Sequence, residues 1–394
     1  MMRACLALIA ALCLLAPALP AQNTPLPALE AAAEAGDTAA QLDLAARYHE
    51  GRGVVQNFAR AAALYAQAAE AGNAAAQNRL GQYYHEGLGV ARDAAAARRW
   101  LGAAAAQGDP QHVHDLAAVL EAGGDPADLP RAAALYAQAA EAGHVDAAVS
   151  LGVMYQNGTG VAQDYERARA LYEGPAAAGH ARAQNNLGLL YVRGHGVAQD
   201  YERAAQLFAA AADQGLARAI SNLGVMYENG FGVAQNDEAA ARLYRLGGQA
   251  GGGQAQGALP PAVYDARLAA PVADAALQTA ARLGDPVAAF QMGYLIATAE
   301  NATPAQWRQA ADLFRRGAEA GHAAAMANLG LAHIHGRGVV QDYVAGQMWL
   351  ILAGTAGLAE APALAAAARA RMTTGQINAA QAEADARWTA KHTQ

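Results

Sequence analysis

The chain repeats one short phrase along most of its length. Residues 151–172 read LGVMYQNGTGVAQDYERARALY, residues 187–208 read LGLLYVRGHGVAQDYERAAQLF, and residues 223–244 read LGVMYENGFGVAQNDEAAARLY. Aligned on the leucine, nine frames start at Leu44, Leu80, Leu116, Leu151, Leu187, Leu223, Leu259, Met292 and Leu329, spaced by 36, 36, 35, 36, 36, 36, 33 and 37 residues. A fixed period of this size marks supersecondary units that bury their apolar faces on one another. A catalytic constellation is needed once; a unit written this often makes surface.

Each unit reads as two helices. Alanine stands four residues before the leucine (Ala76, Ala147, Ala183, Ala219, Ala325) and tyrosine four after it (Tyr48, Tyr84, Tyr155, Tyr191, Tyr227). Positions i−4, i and i+4 share one helical face, so this is the expected buried face of helix A. Gly81, Gly152, Gly188, Gly224 and Gly330 follow the leucine directly. Glycine inside a helix costs about 1 kcal/mol relative to alanine, so its recurrence points to close approach by a neighbouring helix. The helix should stop at Gly51, Gly87, Gly158, Gly194, Gly230 or Gly336, with a second glycine two residues on for a tight return. Val54, Val90, Val161, Val197, Val233 and Val339 should then tuck the connector into the core. Asn57, Asp93, Asp164, Asp200, Asn236 and Asp342 stand where helix B begins and can cap it. Glu166, Glu202 and Glu238 suit its dipole.

The pattern LGxxYxxGxGVxQDYxxAxxxY resembles the Sel1-like repeat, a relative of the tetratricopeptide repeat, over roughly residues 26–390. The closing ARMTTGQINAAQAEADARW resembles the terminal cap of bacterial members, with Thr373 or Thr374 as N-cap. The resemblance implies an all-α, right-handed α-solenoid superhelix of about nine helix-turn-helix repeats with a C-terminal helical cap. The expected organisation is a signal peptide over 1–21, an N-terminal cap region over 22–43, and repeats one to six over 44–258. A degenerate repeat and hinge follows over 259–291, then repeats eight and nine over 292–372 and a cap helix over 373–394. Three frames depart from the pattern. LAAVLEAGGDPADLP (116–130) lacks the connector motif. Gly174-Pro175 falls inside a helix B, where proline should kink or break it. AGGGQAQGALPPAVYDARLAAP (250–271) puts a glycine run and Pro260-Pro261 where a helix A should lie, and reads as a joint exposed to proteases.

The first residues, MMRACLALIAALCLLAPALPAQ, carry Arg3, an apolar stretch and then small residues, the pattern of a secretory signal peptide. Cleavage is expected after Ala21 or after Ala18. A soluble, monomeric periplasmic or secreted protein is expected, not a lipid-anchored one, since neither Cys5 nor Cys13 sits in a lipoprotein context. Both cysteines fall in the leader, so the mature chain enters an oxidising compartment with no disulfide. The most apolar later run, MWLILAGTAGLA (348–359), is too short to span a bilayer, and membrane insertion is not expected. A net charge of −7 with interleaved signs gives no footprint for nucleic acid.

After the leader there is one lysine, Lys391, two serines, Ser150 and Ser221, and no cysteine. The P-loop, G-x-S-x-G and S-x-x-K motifs are absent. His112-Val113-His114-Asp115 and His333-Ile334-His335 invite a metal reading, but histidines two apart do not share a helical face. His333, at the tyrosine position, is expected in the core, and His49 and His85 on the surface. No metal and no cofactor are expected.

By the same resemblance, helices A line the concave side of the superhelix. One position before the leucine then gives a polar ladder: Asp43, Arg79, Asp115, Ser150, Asn186, Asn222, Gln291 and Asn328. Two positions after it runs an apolar row: Val153, Leu189, Val225, Tyr294 and Leu331. Asn186, Asn222, Asn328, Leu189, Val225 and Arg79 are the candidate groove residues for an extended peptide or a partner helix. Asn186 and Asn222 are expected to be dispensable for folding. The expected function is a non-enzymatic adaptor for another protein of the cell envelope. The alternatives are an envelope hydrolase using carboxylates, or a saccharide-binding scaffold, for which only Tyr294 offers a groove-facing aromatic.

Overall fold

The computed structural model describes residues 24–251 and 259–392, with residues 249–251 by backbone alone. The expected leader, with Cys5 and Cys13, and the glycines at 252 and 253 lie outside the described residues.

Twenty helices and no strand are found among the described residues. Helix α1 (Leu26–Glu34) leads in. Units one to three are the pairs α2 (Thr38–Glu50) with α3 (Phe58–Glu70), α4 (Ala74–Glu86) with α5 (Ala94–Ala105), and α6 (Pro110–Ala122) with α7 (Leu129–Glu141). Units four to six are α8 (Val145–Asn157) with α9 (Tyr165–Ala177), α10 (Ala181–Arg193) with α11 (Tyr201–Asp213), and α12 (Ala217–Asn229) with α13 (Asp237–Gly251). In the seventh unit only α14 (Ala275–Leu283) is helical among the described residues; residues 259–274, read from the sequence as a degenerate repeat, run without regular structure at the helix A position. Units eight and nine are α15 (Pro286–Ala297) with α16 (Pro304–Glu319) and α17 (Ala323–His335) with α18 (Tyr343–Thr355). Helices α19 (Ala361–Arg369) and α20 (Thr374–His392) close the chain. The whole is an α-solenoid.

The local chemistry follows the repeat. Gly51, Gly87, Gly158, Gly194, Gly230 and Gly336 all end their helices with positive φ. Asn57, Asp93, Asp164, Asp200, Asn236 and Asp342 each accept a backbone N–H of the helix that follows. Thr373 is the N-cap of α20: its Oγ1 accepts from Gln376 N, and Gln376 Oε1 accepts from Thr373 N. The glycine after the leucine has its reason in packing. A Cβ at Gly152, Gly188 or Gly224 would stand 2.5, 2.8 or 2.8 Å from the ring of Tyr172, Phe208 or Tyr244 of the same unit's helix B. The second connector glycine is where units stack. A Cβ at Gly89, Gly196 or Gly232 would fall 2.3, 2.6 or 2.2 Å from the backbone at the start of the previous unit's helix B. Gly53, in the first unit, has no such neighbour.

Several expectations are corrected. Helix α9 runs unbroken through Pro175. The proline sits in the last turn, where little helix remains to lose, and Gly174 before it has no Cβ to clash with its ring. The apolar seal of helix A lies at i+3 as well as i+4. Tyr83, Met154, Leu190 and Met226 are buried, whereas Tyr84, Tyr155, Tyr191 and Tyr227 are half-buried. Of the connector valines only Val54 is buried; the other five are half-buried. The 116–130 stretch without the connector motif still forms both its helices.

The two ends of the solenoid meet. Ile377 of α20 joins the apolar cluster of the first two units, with Phe58, Tyr65 and Tyr83. The free N–H of Phe58, at the start of α3, donates to the buried Gln381 Oε1 at 3.0 Å. Arg60 pairs with Asp385 at 2.8 Å. Arg369 donates to Gln56 Oε1 at 3.2 Å and lies 5.1 Å from the Phe58 ring centroid. His49 belongs to this seam and is not a surface residue: its Nδ1 is 2.6 Å from the Tyr83 hydroxyl and its ring 5.3 Å from that of Phe58. Burial first, then the charges of Arg79 and Arg369, push its pKa below the ordinary value, with Glu50 pulling the other way. In a linear array each repeat touches only its neighbours; here the cap helix ties the first unit to the last.

Candidate functional site

The ladder positions lie on helices A and face along the solenoid, but their side chains are not all free. Some are engaged by the residue two before the leucine in the preceding unit. In two places that residue is an asparagine, and the ladder side chain bonds to it. Asn78 Nδ2 donates to Asp115 at 2.7 Å, and Asn222 Nδ2 donates to Asn185 Oδ1 at 2.9 Å. Asp115 also accepts from Gln82 and Gln111. Burial works against its charge, yet the bonds from His114, Asn78 and Gln111 outweigh it and hold its carboxyl below the ordinary range.

Where the preceding residue is apolar, the ladder side chain looks elsewhere. Phe290 stands there before Asn328. Asn328 is 2 % exposed and therefore not open to a partner, against expectation. Its Oδ1 accepts from Val263 N at 2.8 Å, and its Nδ2 donates to Val263 O at 2.8 Å and to Ala324 O at 2.8 Å. The non-helical stretch 259–269 is thus laid across units eight and nine and held by its backbone. His335 Nε2 is 3.1 Å from Pro260 O, and Gln291 donates to Ala269 O and to the Tyr264 hydroxyl. The Tyr264 ring lies 5.5 Å from that of Phe290 and 4.8 Å from that of Tyr294. Leu331 of the apolar row is wholly buried in a cluster with Leu259, against which Ala262, Val263 and Tyr264 pack.

Units four to six carry the same positions uncovered. A groove of about 1200 Å³ runs across them, lined by Val153, Gln156, Asn186, Leu189, Asn222 and Tyr244 among others. Val225 of the apolar row is 42 % exposed, and Leu189 is half-buried. Three arginines, Arg182, Arg193 and Arg218, line this groove, and no carboxylate does. The sequence pattern gave no weight to these arginines or to Asn185; an asparagine two before the leucine, facing a ladder asparagine of the next unit, was the available signal for Asn185. Arg79 is exposed and donates to Gln82, away from this groove. A smaller, more apolar cavity of about 530 Å³ lies between Trp349 and Trp388, where α20 meets α18, outside the ladder.

The histidine pairs serve structure. His114 stacks on His144 at 4.6 Å and its Nδ1 lies 3.3 Å from Asp115. His333 is half-buried rather than in the core, its Nδ1 3.3 Å from Val340 O; burial lowers its pKa. Among the described residues no three His, Asp, Glu or Cys side chains stand together as metal ligands. No described helix is long and apolar enough to cross a membrane.

Comparison with known proteins bears on the same units. The Sel1 repeat model matches residues 38–73, 74–109, 114–144, 145–180, 181–216, 217–252, 286–322 and 323–358, and passes over the seventh unit, which lacks its helix A. The solved structure of c5321, a protective antigen of uropathogenic Escherichia coli strains displaying an SLR fold, is 28 % identical, with a TM-score of 0.50 over 92 % of this chain and 86 % of that one. A Sel1 repeat protein from Oxalobacter formigenes is 30 % identical, with a TM-score of 0.50 over 54 % of this chain and 85 % of that one. Among curated proteins none matches the chain. Sel1 repeat proteins generally mediate protein–protein interaction. Eight matched units, the cap and glycine chemistry that six of them share and the solenoid they build lead to one conclusion: this chain belongs to the Sel1 repeat family.

Proposed function

We propose that the chain is a non-enzymatic, exported adaptor that binds a protein of the cell envelope through the groove of units four to six. One observation carries this. The same ladder and row are covered by chain in units eight and nine and open in units four to six, where Val153, Leu189, Asn186 and Asn222 line the groove and Val225, on the helix of Asn222, is 42 % exposed. Open apolar surface rimmed by hydrogen-bonding groups marks an interaction site. The reading of the chain as exported rests on the leader-like first 21 residues, and the likeness to a protective antigen is in keeping with it. The scarcity of lysine, serine and cysteine supports a binding role over a catalytic one.

Affinity capture from native envelope extract tests both parts, using wild type, Val225→Asp on the exposed apolar row of α12 and Val340→Asp as control. Val340 is 85 % exposed on a connector, so neither change should cost more than about 0.5 kcal/mol of stability. The Val225→Asp protein should lose its partner at least about tenfold, while the Val340→Asp protein retains it and both melt like wild type. Retention by Val225→Asp with loss by Val340→Asp would move the interface off the groove. Mass spectrometry of the captured bait should read a new N-terminus at residue 19 or 22; an intact Met1 overturns export.

A further inference from the structure

Asn186 is the counterpart of Asn328. Each stands one residue before its unit's leucine, and each follows an apolar residue in the preceding unit, Val149 for Asn186 and Phe290 for Asn328. The surroundings correspond as well. Leu331 matches Leu189, Tyr294 matches Val153, His322 matches His180, and His335 matches Arg193. What differs is the occupant: Asn328 holds Val263 by both N–H and C=O, and Asn186 faces the open groove.

The hydrogen-bond inventory of Asn186 fits that role. An asparagine side chain has two donor hydrogens and room for two acceptor contacts. Asn185 Nδ2 donates to Asn186 Oδ1 at 3.2 Å, using one acceptor contact. The nearby Tyr172 hydroxyl is itself committed as a donor to Gln156. A donor and an acceptor contact remain, the set that Asn328 spends on the peptide group of Val263. Charge then selects among peptides. Arg182, Arg193 and Arg218 line the groove with no carboxylate among the lining residues. Arg182 lies 3.5 Å from Asp146, while Arg193 and Arg218 make no ion pair among the described residues.

We infer that the groove of units four to six binds an extended acidic peptide segment of a partner protein, clamped through one residue's backbone N–H and C=O by Asn186. The segment runs as 259–264 does, antiparallel to its helix A and then across to the preceding unit. Arg193 takes the place of His335 at its leading end, and acidic side chains meet Arg193 and Arg218. This rests on the groove reading above and narrows it to one ligand chemistry.

Fluorescence anisotropy on the full chain tests it with three labelled dodecapeptides built on the 259–270 sequence: acidic LPPEVYDEELEA, basic LPPKVYKKKLKA, and the acidic one N-methylated at its valine. The acidic peptide should bind, and more weakly as salt rises. Asn186→Ala and valine N-methylation should each weaken it at least about tenfold, and Arg193→Ala should weaken the acidic peptide while leaving the basic one as poor as before. The basic peptide should bind at least about tenfold more weakly. Equal binding of acidic and basic peptides, indifference to Asn186→Ala and N-methylation, or no binding of the acidic peptide at about 1 mM overturns the inference. If the Val225→Asp protein still loses its captured partner, the groove reading survives that failure; if it does not, both fall.

Discussion

Gly232→Ala should cost about 3–4 kcal/mol of stability, and Gly53→Ala only about 1 kcal/mol. The two glycines hold nearly the same backbone, with φ of +66° and +71°, so the left-handed penalty on a side chain is common to both. Their surroundings separate them. A Cβ at Gly232 would stand 2.2 Å from the carbonyl of Tyr201, so unit six cannot stack on unit five without moving backbone; a Cβ at Gly53 meets nothing within 4 Å. Gly338→Ala, whose Cβ would meet the Trp307 carbonyl, should behave like Gly232→Ala. Denaturant unfolding of the three variants reads the difference directly. Equal losses would show that the connector glycines serve backbone conformation alone and that units do not stack through them.

Removal of residues 373–394 should lower the melting temperature by roughly 10 °C and uncouple the first unit from the rest. Helix α20 contributes the buried Ile377, Ala380, Gln381 and Ala384, and its Arg387 lies 5.0 Å from the Trp349 ring centroid. Uncovering those groups forfeits on the order of 5 kcal/mol and strands the Phe58 N–H. Calorimetry of the truncated chain should show a broadened or split transition. A single transition at the wild-type temperature would mean that the ends meet without energetic consequence. The seam is also acid-sensitive, with a definite sign. The folded pKa of His49 is depressed below 6.5, so the unfolded chain takes up the proton first. Stability is full above the unfolded value and is lost as pH falls from there through the depressed folded value. The charged ring would then stand beside Arg79 and Arg369. Wild type should therefore lose melting temperature between pH 6.5 and that lower value more steeply than His49→Gln; parallel curves would remove His49 from the account.

Much of the fold was legible because its determinants are local. A helix stop at Gly194, a cap at Asp200 and a buried alanine at Ala183 each depend on a few adjacent residues, and repetition multiplies the signal. Pro175 was misread because the rule against proline assumes a helix with turns left to lose. The seam between α3 and α20 was not legible: Phe58 and Gln381 are 323 residues apart, and no periodicity encodes a contact made once. The groove was legible as a face but not in its division of labour. Asn186, Asn222 and Asn328 occupy the same position in three units, yet Asn222 bonds Asn185, Asn328 is spent on Val263, and Asn186 faces the groove beside an apolar Val149. Asn222 was expected to be dispensable to the fold; its bond to the buried Asn185 oxygen predicts instead that Asn222→Ala costs about 1–3 kcal/mol.

The central claim is that an extended backbone lies on the helix A face of units four to six as residues 259–264 lie on units eight and nine. A crystal structure of the chain with the acidic dodecapeptide measures it most directly. The predicted result is one peptide residue with its N–H on Asn186 Oδ1 and its C=O on Asn186 Nδ2, apolar side chains on Leu189 and Val225, and carboxylates at Arg193 and Arg218. A peptide seated on the helix B face, or one in the groove with no backbone contact to Asn186, would contradict it.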